Sequence, residues 1–138
     1  MAEKLLLVDD EPDMLKLLSM IIRDKTPYAV VTTNNPLEAL ELVKQGGFDL
    51  VISDLKMPGL DGLELLEGIR KFNEEIPVII VTAYATLESA QEAMGKKAFD
   101  FITKPFRKEQ ILFTIDKALK WQQTERENKM LREKLGKG

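Results

Sequence analysis

Five short runs of apolar and β-branched residues punctuate the chain, at Lys4–Val8, Tyr28–Thr33, Leu50–Ser53, Val78–Val81 and Phe99–Ile102. The third and fourth, LVIS and VIIV, are apolar at consecutive positions, as in parallel strands covered on both faces. Between the runs, apolar residues step by three and four, which gathers them on one side of a helix. Met14, Leu17, Leu18, Ile21 and Ile22 form one such stripe, Leu37, Leu40 and Val43 a second, and Leu63, Leu66, Ile69 and Phe72 a third. A weaker helix is predicted over about Leu87–Met94 and a fifth from near Arg107. Pro36 sits where the first turn of the second helix belongs, a position that tolerates its missing N–H. Strand and helix alternating through short, right-handed connections predict a doubly wound α/β fold, with five parallel strands flanked by five helices.

The chain's 138 residues are one domain's worth, enough to bury a single sizeable core. With 44% hydrophobic and 31% charged residues, the composition is that of a globular domain. No apolar run approaches the roughly 20 residues of a membrane span, and the start MAEKLLLVDD turns acidic too early for a secretory leader. A cytoplasmic location is the expectation. Cys and His are both absent, which excludes thiolate chemistry, imidazole triads and imidazole-ligated zinc. A net charge of −3 argues against a dominant nucleic-acid surface.

In an open parallel sheet, ligands bind beyond the carboxyl ends of the strands. The residues at those ends are Asp9 and Asp10 after the first strand, Asp54 after the third, Thr82 after the fourth and Lys104 after the fifth. Each alone reads as a helix cap, a strand-end polar residue or a solvated charge. Together they bring carboxylates, a hydroxyl and an ammonium to one edge. Clustered carboxylates repel one another unless a cation lies among them. A hard cation held by one or two carboxylates, water and phosphate oxygens is the usual magnesium arrangement. The set therefore suits Mg²⁺ and a phosphoryl group. The stretch DLKMPGLDG that begins at Asp54 is rich in turn formers: Pro58 biases Met57 to extended backbone, and Gly59 and Gly62 permit conformations that other residues resist.

These motifs, VDDEP, DLKMPGLDG, VTA and KPF, in this order and spacing, resemble the receiver domains of two-component response regulators from about Lys4 to Leu119. The resemblance implies a flavodoxin-like strand order, 2-1-3-4-5. It implies that Asp54 accepts a phosphoryl group from a sensor histidine kinase, and that Asp9, Asp10, Asp54 and the backbone carbonyl of Lys56 hold Mg²⁺. Thr82 and Lys104 would bind the phosphoryl oxygens, Lys104–Pro105 would be a cis peptide, and Phe101 would turn inward as Thr82 moves. Such a protein is a phosphoacceptor that assists its own phosphorylation and dephosphorylation, not an enzyme with a separate substrate. Lys56 and Tyr84, each two residues past a site residue, occupy positions that tune loss of the phosphoryl group; Tyr84 either shields the bond from water or only covers its loop. One departure is Lys97, which stands where many members carry Gly.

Beyond the receiver (residues 1–119) lies a helical segment (120–138). Ile111, Ile115, Ala118 and Leu119 are expected to pack inward. Trp121, Asn128 and Leu135 then fall at a and Thr124 and Leu131 at d of a heptad, and an Asn at a sets register in two-stranded coils. A homodimeric coiled coil and a solvated helix extension both fit this short, partly polar seam. The run REN–LR–L resembles the linker to the ATPase domain of NtrC-type, sigma-54-dependent transcriptional activators. The chain itself has no P-loop and no DNA-reading helix pair, so ATPase and DNA-binding output would lie outside it. A stand-alone receiver or phosphorelay intermediate is the alternative. A flavodoxin would need a phosphate-cradling first loop where DDEPD repels anions. A haloacid-dehalogenase-type phosphatase would need a second acid where Lys56 stands. A receiver-like module without phosphorylation would not need the intact set of five residues.

Overall fold

The computed structural model describes residues 3–136. The strands are β1 (Lys4–Val8), β2 (Ala29–Thr33), β3 (Leu50–Ser53), β4 (Val78–Thr82) and β5 (Asp100–Thr103). The helices are α1 (Pro12–Lys25), α2 (Pro36–Gln45), α3 (Gly62–Phe72), α4 (Leu87–Gly95) and α5 (Lys108–Gly136). All pairings are parallel, in the order β2-β1-β3-β4-β5. Every residue of β3 and β4 is buried, as their unbroken apolar runs predict.

Alternation along the strands sorts the core into two layers. Leu6, Val8, Val51 and Ile80 face Ala39 and Val43 of α2, Leu65, Leu66 and Ile69 of α3, and Ala93 of α4. Leu5, Leu7, Leu50, Ile52, Ile79 and Val81 face Leu18 and Ile22 of α1 and Ile111, Ile115, Ala118 and Leu119 of α5. With helices on both faces, every strand end at the carboxyl edge opens into a loop and not into a packed layer.

Several helix starts are written in side chains. Asn35 accepts from the N–H groups of Leu37 and Glu38, and Asp61 and Glu64 form a reciprocal capping box. Glu11, at the start of α1, makes no such cap with its side chain. Its backbone N–H instead donates to Asp9 Oδ1 at 2.9 Å.

The structure corrects some boundaries and faces. Thr82 belongs to β4 as its last residue and aligns with Thr103. β5 starts at Asp100, one residue later than its apolar run, because Phe99 turns into the sheet only with its N–H, bonded to Val78 O at 2.7 Å. Phe72 and Leu37 are exposed, since the buried arcs of their helices are set by Leu65, Leu66 and Ile69 and by Ala39 and Val43. Lys97 adopts φ +70°, so it takes the left-handed backbone that a Gly would supply. Arg70 holds it there: Nε and Nη2 donate to Lys97 O at 3.1 and 2.8 Å, and Nη1 reaches Ile76 O at 2.6 Å. One half-buried guanidinium thereby ties α3 to the entrances of β4 and β5. Gly59 has φ +90°, as a turn glycine should, but Gly62 has no positive φ. It is needed for close approach: a Cβ there would collide with Asp54 O and lie 2.9 Å from Leu55 Cα.

Candidate functional site

Register determines which residues meet. Val8 aligns with Ser53, so Asp9 and Asp54 leave neighbouring strands side by side. Both are buried although charged, at 2% and 3% exposure. Asp54 is held from behind by the neighbouring strand β1 and by its own loop. Its N–H donates to Val8 O at 3.0 Å, and its Oδ1 accepts from Leu55 N at 2.6 Å. Across β4 and β5, Thr82 pairs with Thr103, which places Lys104 next, and Lys104 N donates to Thr82 O at 2.8 Å.

The Lys104 side chain, only 7% exposed, reaches back over the strand ends. Its Nζ lies 2.9 Å from Asp9 Oδ2, 3.2 Å from Asp54 Oδ2 and 3.6 Å from Glu11 Oε1. The peptide that follows, Lys104–Pro105, is cis. Carboxylate oxygens of Asp9, Asp10, Glu11 and Asp54 all lie within 4.8 Å of one another. One ammonium thus meets three of the four acids. Burial pushes the Asp9 carboxyl above its ordinary range, more than the bonds from Glu11 N and Lys104 pull it down, and Asp54 adds to the rise. Burial alone would depress Lys104, but Asp9 and Asp54 more than offset it, and its pKa is raised.

Asp9 therefore costs stability at neutral pH. A group whose pKa rises on folding stabilises the fold only below its unfolded pKa, and that contribution is lost as pH climbs through the folded value. In metal-free buffer at pH 7, Asp9→Asn should raise the melting temperature by about 2 °C, because the amide oxygen can still accept from Glu11 N and the buried charge is gone, while Lys104 loses its bond to Oδ2 and keeps Asp54. The gain should shrink as pH falls below about 4, where unfolded Asp9 is itself protonated. A melting temperature lowered by the substitution at pH 7 would contradict this.

The remaining predicted residues take distinct places. Thr82 is fully buried and its hydroxyl accepts from Tyr84 N at 3.1 Å. Tyr84 is exposed at the rim. Phe101 is half-buried against the α2–α3–α4 layer. Lys56 N points at Asp54 Oδ1 from 3.5 Å. Trp121, Asn128, Leu131 and Leu135 lie along the outer part of α5, outside this cluster. Glu11 was missed by the strand-end reading because it follows the acid pair into the helix. Its place as the first residue before α1 was the available signal, since that position turns a side chain back toward the strand end.

The sequence of residues 5–116 matches the model of the response regulator receiver domain. The chain belongs to this family. It is 42% identical over 115 residues to the transcriptional regulatory protein GlrR of Escherichia coli, covering 83% of this chain and 26% of that protein. It is 38% identical to sporulation initiation phosphotransferase F of Bacillus subtilis, covering 86% of this chain and 95% of that protein. A crystal structure of NtrX from Brucella abortus in complex with ADP superposes with a TM-score of 0.87 at 33% identity, over 95% of this chain and 30% of that one. The chain thus spans about a quarter of the length of GlrR and similar curated relatives. Among the described residues, no helix is long and apolar enough to cross a membrane.

Proposed function

We propose that this receiver is a phosphorylation switch in which Asp54 takes a phosphoryl group from a phosphohistidine of a sensor kinase and passes the change to an output domain through its dimer contacts. The observation that carries this reading is a buried carboxylate at a strand end, bridged by Lys104 and ringed by three further acids. In the transfer the P–N bond breaks and a P–O bond to Asp54 forms; a carboxylate nucleophile needs no base to take a proton. The donor set is all hard oxygen and carries more negative charge than one lysine balances, which fits Mg²⁺. Asp9, Asp10, Asp54 and the Lys56 carbonyl would hold the ion, which when bound offsets charge on the phosphoryl oxygens. Lys104 is positioned to leave the Asp54 carboxylate for a phosphoryl oxygen. Thr82 accepts from Tyr84 N and so keeps its own proton for another. Its movement would pull on the β4–α4 loop and open space for Phe101. Tyr84 and Lys56, at the rim, are placed to govern water access and so the lifetime of the phosphoryl group.

The output we propose is transcription activation through ATPase and DNA-binding domains of an NtrC-type, sigma-54-dependent protein. Support comes from transcriptional regulators of which the match covers only about a quarter, and from the likeness to NtrX, which continues into the α5 extension. A free-standing phosphotransfer role is the second reading, favoured by the near-complete coverage of sporulation initiation phosphotransferase F. Either role would be exercised in the cytoplasm, with protein partners and no contact of this segment with nucleic acid.

Dimerisation would use the heptad seam, where Trp121 is 37%, Leu131 57% and Leu135 80% exposed. In a parallel pair the flanking g and e′ positions bring Lys120 to Glu125 and Glu127 to Arg132, all of opposite sign. Sedimentation of the unmodified chain should show a dimer. Ending the chain after Lys129 removes Leu131 and Leu135 and should weaken it at least about tenfold, with Asp54 labelling intact. A fluoride mimic of the phosphoryl group with Mg²⁺ should alter amide exchange over residues 86–106. A monomer at high concentration would reject the coil, and unchanged exchange on that face would reject the switch.

A further inference from the structure

The part of α5 beyond Leu119 does not leave the receiver as a free rod. Gln122 is buried at 4% exposure. Trp121 tilts against Phe99, with ring centroids 5.7 Å apart. Arg126 Nη2 lies 3.3 Å from Asp49 Oδ1, and Lys129 Nζ lies 3.0 Å from Glu75 Oε1.

The three receptors of these contacts are not scattered. Asp49 immediately precedes β3, Glu75 stands just before β4, and Phe99 immediately precedes β5. Those strands end, at the opposite edge, at Asp54, Thr82 and Lys104. Each receptor is also tied to the body by backbone groups. Asp49 Oδ2 accepts from Lys4 N at 2.9 Å, Glu75 N donates to Asn73 Oδ1 at 2.7 Å, and Phe99 N donates to Val78 O at 2.7 Å.

Helical periodicity separates this attachment from the heptad seam. At about 100° per residue, Ile111, Ile115, Ala118, Gln122, Arg126 and Lys129 form one stripe that continues the inward face of α5. Trp121, Asn128, Leu131 and Leu135 lie roughly a third to half a turn away. Trp121 alone touches both, packed on Phe99 by one side and 37% exposed on the other.

We infer that the amino-terminal edge of the sheet is a docking surface for the extension of α5, a clasp built from Phe99, Asp49 and Glu75 that holds residues 121–129 and aims the seam away from the body. The receiver thereby sets the direction of the helix before any partner binds, and a displacement of β3, β4 or β5 is delivered to the helix as a movement of its seat. This holds whether or not Asp54 is the phosphoacceptor, because none of the clasp residues belongs to that site.

The test is amide exchange on the full chain, diluted until sedimentation shows monomer. Residues 120–129 should exchange slowly, like 111–119, and residues 130–136 quickly. Lys129→Glu should speed exchange over 123–130 by up to about fivefold, the worth of one exposed ion pair. The exchanged pair Glu75→Lys with Lys129→Glu should restore it. Asp54 labelling should be unchanged in both variants, which separates loss of the clasp from loss of the fold. Equal, fast exchange over 120–136 in the monomer would overturn the clasp, as would failure of the exchanged pair to restore protection. Arg126→Glu offers an independent check, with exchange over 120–127 expected to rise by a similar factor.

Discussion

Incubation with a small phosphodonor and Mg²⁺ adds one phosphoryl group to the wild-type chain and none to Asp54→Asn; that is the result expected from intact-mass measurement. Four acids share the pocket, so the selectivity needs an argument. Asp10 and Glu11 are exposed, so a phosphoryl group on either would meet bulk water, and of the acids that Lys104 reaches Glu11 is the farthest, at 3.6 Å. Asp9 is buried, but its Oδ1 is taken by Glu11 N and its Oδ2 by Lys104. Asp54 has Oδ1 anchored on the Leu55 and Lys56 N–H groups, which orients the carboxylate, while Oδ2 points at Lys104 Nζ. It also emerges between β1 and β4, so acids and the Thr82 hydroxyl flank it from opposite sides. Of the two buried carboxylates that Lys104 binds, only Asp54 stands at the end of the strand next to β4, which ends at Thr82. Asn in its place keeps the shape and the hydrogen bonds from Leu55 N but loses the nucleophile. Loss of labelling should therefore be complete, with melting temperature held or raised. Undiminished labelling of Asp54→Asn would place the acceptor elsewhere in the cluster.

The fold was legible because its two signals are strong in this chain. Apolar, β-branched runs as short as LVI and VIIV, set between helical stripes, fit a doubly covered parallel strand better than a helix, and strand ends in such a sheet converge by topology. Asp9, Asp54, Thr82 and Lys104 accordingly read from sequence as one set at the strand ends. What stayed hidden depends on the third dimension of side chains. The Arg70 guanidinium that supports Lys97 acts across 27 residues of sequence, and nothing local marks it. Phe72 continues an apolar stripe in sequence yet lies in water, because helix faces are chosen by the sheet and not by the helix. The extension of α5 read as a seam with polar gaps, whereas its contacts with Asp49 and Glu75 use ordinary surface charges that pattern reasoning assigns to solvent.

Gly62 shows the same limit at the site itself, and it yields the largest stability effect expected of any conservative change here. Read from sequence, it is a turn glycine, and turn glycines are explained by positive φ. Its backbone is ordinary for the first turn of α3, where Ala would be favoured over Gly by up to about 1 kcal/mol. Proximity reverses the sign. Gly62 N donates to Leu55 O at 2.8 Å, which pulls α3 hard against the strand end. A Cβ would strike Asp54 O and sit 2.9 Å from Leu55 Cα and 3.0 Å from Asp54 C, all backbone atoms of the segment that carries the acceptor. Backbone cannot turn aside as a side-chain tip can, so α3 or Asp54 must move. Gly62→Ala should cost about 3 kcal/mol or more and lower the melting temperature by roughly 6 °C or more. Whatever folds should label poorly, because relief of the clash shifts Asp54 relative to Lys104. Gly95→Ala is the matched control: no atom lies within 4 Å of its added Cβ, and it stands at the end of α4, so it should leave stability unchanged or raise it slightly. If Gly62→Ala melts and labels like the wild type, α3 does not press on the acceptor strand and close approach is not what requires glycine here.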